Sequence, residues 1–246
     1  MGREQNLPYG GRLWIDDEPE MSKPKGVVII CPGGGYEWLS PREAGPVAAA
    51  FSDSGWIGAV LHYGVGHGLG TLPLEQLGAA ADWVRENYLG LPMVVCGFSA
   101  GGHLAASLGV HWKTMGLTRP DALILCYPVI TAGTYTHQVS IQNLTGEQDP
   151  YFFSLERYVT QDMPPAFVWH TAADPEVPVQ NSLLLADAMA EAGVPFELLI
   201  FPEGMHGLSL ATPVVDEPEK NRIADPHVAG WFRLCLEWLE NTLHKE

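Results

Sequence analysis

Positive charge is what this sequence has least of. Thirteen Lys and Arg stand against 29 Asp and Glu, a formal net charge of −16 with His neutral. A surface of that sign repels phosphate backbones and anionic lipid, so nucleic acid and membrane surfaces are not expected partners. A small neutral substrate is. Long hydrophobic runs are missing as well: none reaches the roughly 18 residues of a membrane-spanning helix. The longest, from Ala122 to Ile130, is interrupted by Pro128. The first six residues, Met-Gly-Arg-Glu-Gln-Asn, contain no apolar signal core, which points to a cytoplasmic protein. Cysteine is sparse, at positions 31, 96, 126 and 235, with no CxxC or ligand-like spacing. Three of the four fall in apolar, strand-like runs, where a reduced thiol behaves as a small hydrophobe. Reduced, buried cysteines in a reducing compartment are expected, with no metal and no cofactor.

What is present is globular. The chain has 246 residues, 46% of them apolar, enough for one α/β domain with its own core. Short β-rich runs alternate with amphipathic stretches. Strands are expected at Gly26–Cys31, Trp56–Leu61, Met93–Phe98, Ala122–Tyr127, Ala166–His170 and Phe196–Phe201. Most are continuously apolar, the signature of a parallel sheet covered on both faces. Helices are expected over Pro41–Ser54, through Leu74, Leu77, Ala81, Val84 and Tyr88, after Ser99, after Val179, and over Pro226–His244. Strand, helix, strand in repetition predicts a doubly wound, mostly parallel α/β sheet with helices on both faces. Leu13-Trp14-Ile15 reads as an antiparallel edge strand. Residues 131–163 have no clear period, and a short lid helix or insertion is expected within them.

The sharpest motif is Gly97-Phe98-Ser99-Ala100-Gly101-Gly102, directly after the run Met93-Val94-Val95-Cys96. G-x-S-x-G at a strand-to-helix junction is a nucleophile elbow, so tight that bulky residues two before and two after the serine would make strand and helix collide. The serine is lifted clear of the sheet in a strained conformation, and the N-terminus of the following helix favours an oxyanion beside it. Serine needs a base oriented by a third group, and in this kind of fold the order is Ser, acid, His. Of nine histidines, His206 follows the last strand by a few residues in the loop Glu203-Gly204-Met205-His206-Gly207. His103 lies one turn into the elbow helix, directed away from the serine, and His170 reads as structural. His62, His67, His111, His137, His227 and His244 have no supporting context. Asp174 stands at the mouth of the strand before the base; Asp149 and Asp162 fall in the irregular segment and Asp187 on a helix face. Cys31-Pro32-Gly33-Gly34-Gly35-Tyr36 offers backbone amides to a ligand, with no Lys-Ser/Thr to make it a nucleotide loop. Gly34 or Gly35, with Ala100, would form the oxyanion hole. Tyr36, Trp38, Tyr127, Pro128 and Met205 are candidates for the substrate pocket, each equally compatible with core packing.

Together these motifs resemble the α/β-hydrolase superfamily, and more narrowly the small carbohydrate esterases grouped with acetylxylan esterases and BD-FAE-type hydrolases. The resemblance runs through Pro32–Tyr36 with Pro41-Arg42-Glu43, Gly97–Ala105, Pro164–Thr171, Asp174-Pro175-Glu176-Val177-Pro178 and Gly204–Leu208. The D-x-x-V-P stretch is also similar to the acid loop of prolyl-oligopeptidase-type hydrolases. Two departures stand out: Pro32 replaces the histidine that many relatives carry before the glycines, and Ala173 replaces an acidic residue, leaving Asp174 alone. The resemblance implies a serine esterase acting on acetyl groups of xylo-oligosaccharides or related sugars, pairing or assembling further in some members. A peptidase or amidase, an arylformamidase-like hydrolase, and a catalytically silent binding protein are the alternatives.

Overall fold

The computed structural model describes residues 2–16, 23–146 and 149–243. Eight strands form one sheet: β1 (Arg3–Asn6), β2 (Arg12–Asp16), β3 (Val27–Cys31), β4 (Ile57–His62), β5 (Met93–Phe98), β6 (Ala122–Cys126), β7 (Ala166–Thr171) and β8 (Phe196–Phe201). Their spatial order is β1-β2-β4-β3-β5-β6-β7-β8, antiparallel from β1 to β4 and parallel from there on. This is the α/β-hydrolase arrangement. Successive side chains of each apolar strand enter opposite cores. Val27, Ile29 and Cys31 of β3 pack on one side of the sheet, and Val28 and Ile30 on the other.

The first core is closed by α2 (Leu72–Asn87), α3 (Ala100–Met115) and α5 (Gln180–Ala192), through Leu77, Leu104, Leu108, Leu185 and Met189. The second is closed by α1 (Gly45–Asp53) and α6 (Pro226–Leu243), through Val47, Phe51, Val228, Trp231 and Leu239. Both faces are therefore dry, which explains why these strands read as unbroken hydrophobic runs. β8 departs from that pattern. It is the sheet's far edge, and most of Phe196–Ile200 is only partly buried.

Two expectations at the N-terminal side are corrected. Leu13–Ile15 is antiparallel but not an edge, because β1 pairs along its outer side, with Arg3 opposite Ile15 and Asn6 opposite Arg12. β1 itself, Arg-Glu-Gln-Asn, carries no apolar periodicity; it is held by backbone pairing and by polar side-chain contacts such as Arg3 to Tyr88 and Glu4 to Arg12. The stretch Pro41–Ser54 is also not one helix: a short 3-10 turn at Pro41–Glu43 precedes α1. Gln138–Thr145 forms α4 inside the irregular segment, followed by 3-10 turns at Pro150–Phe153 and Leu155–Tyr158. The expected end of the last helix at His244 lies outside the described residues.

β3 sits between β4 and β5, and the connections leaving β3 and β5 turn to opposite faces: α1 belongs to one core and α3 to the other. The crevice opened at their carboxyl ends is where a doubly wound sheet admits a ligand.

Candidate active site

Ser99 caps β5 with φ 53° and ψ −116°, a left-handed value unfavourable for a serine. Its amide donates to the Cys126 carbonyl (3.0 Å), and its carbonyl accepts from the amides of His103 (3.0 Å) and Val129 (3.1 Å), so neighbouring elements hold the turn. The closeness of strand and helix excludes side chains around it. A Cβ on Gly97 would overlap the carbonyl of Gly101, and one on Gly101 would overlap the carbonyl of Cys31.

His206, in the loop after β8, brings Nε2 within 2.8 Å of Ser99 Oγ. Its Nδ1 lies 2.7 Å from Asp174 Oδ2. A carboxylate only accepts, so Nδ1 carries the proton and Nε2 presents a lone pair to the serine hydroxyl. Asp174 Oδ1 accepts the amides of Glu176 and Val177, both at 2.9 Å. Burial alone would raise the Asp174 pKa, but hydrogen bonding from His170 and His206 and the charge of His206 outweigh it. The carboxyl is held well below the ordinary range.

His170 is the second imidazole on that carboxylate. Its Nε2–H, directed to the Val177 carbonyl at 3.0 Å, lies 3.3 Å from Asp174 Oδ2, and its Nδ1 accepts the Ser182 hydroxyl at 2.8 Å. His103 turns away from the serine: Nε2 donates to the Phe153 carbonyl (3.0 Å) and Nδ1 accepts from the Tyr36 hydroxyl (3.0 Å). Burial lowers its pKa to about 4, against the raising effect of the Phe153 bond.

The glycine loop leaves two amides free. The Gly33 amide donates to Glu43 Oε2 (2.8 Å). The carbonyls of Gly33, Gly34 and Gly35 accept from Ser40 N, Glu37 N and Asn143 Nδ2 respectively. That accounts for every polar group of the three glycines except the amides of Gly34 and Gly35, which have no partner among the described residues. The Ala100 amide, at the first position of α3, lacks an intrahelical acceptor in the same way. Gly34 has φ 123°, and a Cβ there would overlap the Trp38 carbonyl.

A cavity of about 250 Å³ opens on this group, lined by Gly34, Gly35, Glu37, Trp38, Ser40, Glu43, Ser99, His137, Val139, Glu176, His206, Gly207 and Arg222. Of the five pocket candidates only Trp38 lines it. Tyr36 and Tyr127 are fully buried, their hydroxyls spent on His103 and Glu43. Pro128 packs against the α3 backbone at Gly102, and Met205 faces a separate depression with Ala173 and Ala224. His137 and Val139 arrive from the start of α4, whose Asn143 also clamps Gly35. Arg222 Nε donates to the His206 carbonyl (2.6 Å) and Arg42 Nη1 to that of Gly207 (2.7 Å), two guanidinium anchors on the base loop.

His137, Glu43 and Arg222 are cavity residues that local sequence context did not expose. Arg42 and Glu43 stood inside a resemblance motif without a role. The four cysteines are free and buried. Among the described residues no group of three or more His, Cys, Asp or Glu is placed to hold a metal ion, and no helix is long and apolar enough to cross a membrane.

Comparison with known proteins agrees with this architecture. The chain is 37% identical over 206 residues to endo-1,4-β-xylanase B of Butyrivibrio fibrisolvens, covering 75% of this chain and 32% of that protein. It is 32% identical over 209 residues to an acetylxylan esterase of Xylanibacter ruminicola, covering 77% and 42%. The chain thus spans less than half of the length of each of these two relatives. An acetyl ester-xyloside bifunctional hydrolase from Caldicellulosiruptor lactoaceticus superimposes with a TM-score of 0.81 at 36% identity, over 95% of this chain and 89% of that one. The prolyl oligopeptidase family, Peptidase_S9, matches residues 47–237, and the chain belongs to that family, on an α/β-hydrolase fold.

Proposed function

We propose that this chain is a serine carboxylesterase that removes short acyl groups, acetyl foremost, from acetylated xylo-oligosaccharides or related sugars. The observation that carries it is the unbroken relay Ser99–His206–Asp174, at 2.8 and 2.7 Å, facing free amides across one cavity.

The chemistry follows from that relay. Ser99 Oγ attacks the ester carbonyl while its proton passes to His206 Nε2. The carbonyl oxygen becomes an anion, met by the Ala100 amide and that of Gly34 or Gly35. Collapse breaks the bond to the alcohol, which leaves with the proton from His206. Water then attacks the acyl-serine, giving its proton to the same nitrogen, and the acid departs with Ser99 restored.

Support for a sugar ester comes from the names of the relatives, an acetylxylan esterase and an acetyl ester-xyloside hydrolase. The cavity wall is compatible with a hydroxylated alcohol, with Glu37, His137, Glu176 and Arg222 around Trp38. The net charge of −16 disfavours anionic substrates. The test is kcat/KM across acetylated xylo-oligosaccharides, simple acetates, longer acyl esters and peptide amides, for wild type and Ser99→Ala. Acetyl esters are expected to lead, with Ser99→Ala inactive. A rate maximum at octanoate refutes the acetyl assignment, and turnover retained without Ser99 refutes the mechanism.

A further inference from the structure

Glu43 is a buried carboxylate beside the nucleophile that the relay does not use. It stands on the 3-10 turn before α1, almost without solvent exposure, and lines the Ser99 cavity. Both oxygens are committed. Oε2 accepts the Gly33 amide at 2.8 Å, and Oε1 accepts the Tyr127 hydroxyl at 2.6 Å. The Tyr127 oxygen in turn accepts the amide of Ser209 at 2.9 Å, and its ring stands edge-on to His206 with centroids 5.0 Å apart. One side chain therefore joins the glycine loop, the turn after β6 and the base loop. No Lys or Arg forms a direct ion pair with it among the described residues; two neutral donors bind its oxygens, and the Arg222 guanidinium across the cavity feels its charge.

The cost of burying a carboxylate this way makes a plain filler role uneconomical; an apolar residue would pack the same space. We propose that Glu43 is a positioning residue of the active site. Its carboxylate aligns the free glycine amides with the base loop, holding Gly33 with one oxygen and Tyr127 with the other. This rests on the serine-hydrolase reading above. The other charged or titratable groups around His206 are Asp174 and Glu176 from the acid loop, Tyr127 after β6, His137 ahead of α4, and Arg222, which binds the His206 carbonyl. Asp174 touches the imidazole directly. Glu43 acts from behind Tyr127 and the glycine loop, through the two hydrogen bonds it accepts.

The experiment compares kcat and KM for p-nitrophenyl acetate in the full chain as wild type, Glu43→Gln and Tyr127→Phe. Glu43→Gln keeps an acceptor for Gly33 but no charge. Its kcat is expected to fall about tenfold or more with little change in KM. Tyr127→Phe cuts the link to Ser209 but keeps the carboxylate, and its kcat is expected to fall with KM little changed. Wild-type kcat in either variant overturns the proposal, as does a loss of kcat/KM in Glu43→Gln that lies wholly in KM. If Glu43→Gln does not fold, Tyr127→Phe still decides through its kcat. Wild-type protein that neither reacts with a fluorophosphonate probe nor hydrolyses the ester removes the esterase reading and this proposal with it. Labelled, active wild type matched by Glu43→Gln removes this proposal only.

Discussion

The proton on His206 Nδ1 is held by a carboxylate that can only accept, and that carboxylate has a second imidazole against it. His170 reads in the sequence as a structural residue, and the structure buries it completely. Its approach to Asp174 was not legible there, because the i, i+4 spacing meets only through the turn that ends β7. With Ser182 fixing its tautomer, His170 shares its N–H between the Val177 carbonyl and the acid and helps keep the acid ionised. Replacing His170 by Leu removes a donor to a charged acceptor, worth about 1.5–3 kcal/mol, so kcat is expected to fall roughly ten- to a hundredfold. His170→Gln, which restores a donor, is expected to recover part of the loss. Steady-state kinetics on both variants checks this; equal losses would show that His170 only fills space. The three residues of the proposed relay, which the structure brings within hydrogen-bond distance, could be singled out from order and flanking context, since each follows a strand and the sheet gathers strand ends. Glu43, His137 and Arg222 could not be placed that way. They reach the site from a 3-10 turn, a helix cap and a long loop, where no periodicity announces a direction.

At the scale of elements, the elbow is the most constrained junction. The expectation of small residues around Ser99 follows from sterics, and the overlaps at Gly97 and Gly101 show the clearance to be nil. Gly101→Ala drives a methyl into the backbone of β3 at Cys31, which neither element can yield. A loss of about 3 kcal/mol or more is expected, seen as insoluble protein or a sharply lowered melting temperature. A soluble variant melting with wild type contradicts the account of the elbow. The parallel strands other than the edge strand β8 were readable because both their faces are buried, whereas β1 was invisible because its four residues are polar. α4 was only suspected within residues 131–163. Its eight residues bury Ile141 and Leu144 while Asn143 caps Gly35, a pattern too short for period to reveal. Several non-glycine residues with positive φ, namely Tyr36, Ser99, Tyr127, Ser209 and Ala211, lie on the four segments that meet at the site, after β3, β5, β6 and β8. Local backbone strain is concentrated where the geometry must be exact in angle and distance.

For the molecule as a whole, one buried histidine ties stability to pH. His103 links the Tyr36 hydroxyl to the Phe153 carbonyl, and burial lowers its pKa from the ordinary 6.5 to about 4. As pH falls through 6.5 the unfolded chain binds a proton that the folded chain refuses. Stability therefore falls between pH 6.5 and 4 and levels below, by up to about 3 kcal/mol from this group. Urea unfolding at stepped pH is expected to show that decline in wild type and a shallower one in His103→Gln. Parallel slopes would contradict the assignment. The acidic composition belongs to the same scale: it indicated which partners to set aside, but charge carries no information on fold or on the position of a relay.

The central claim is that Ser99 becomes covalently acylated during turnover. The most direct measurement is acid quenching of wild type in the first turnovers of p-nitrophenyl acetate, followed by peptide mass mapping. The account predicts one acetyl group on the peptide carrying Ser99, absent in Ser99→Ala and accumulating in His206→Ala little or not at all. Acetyl on any other residue with turnover intact in Ser99→Ala would contradict it.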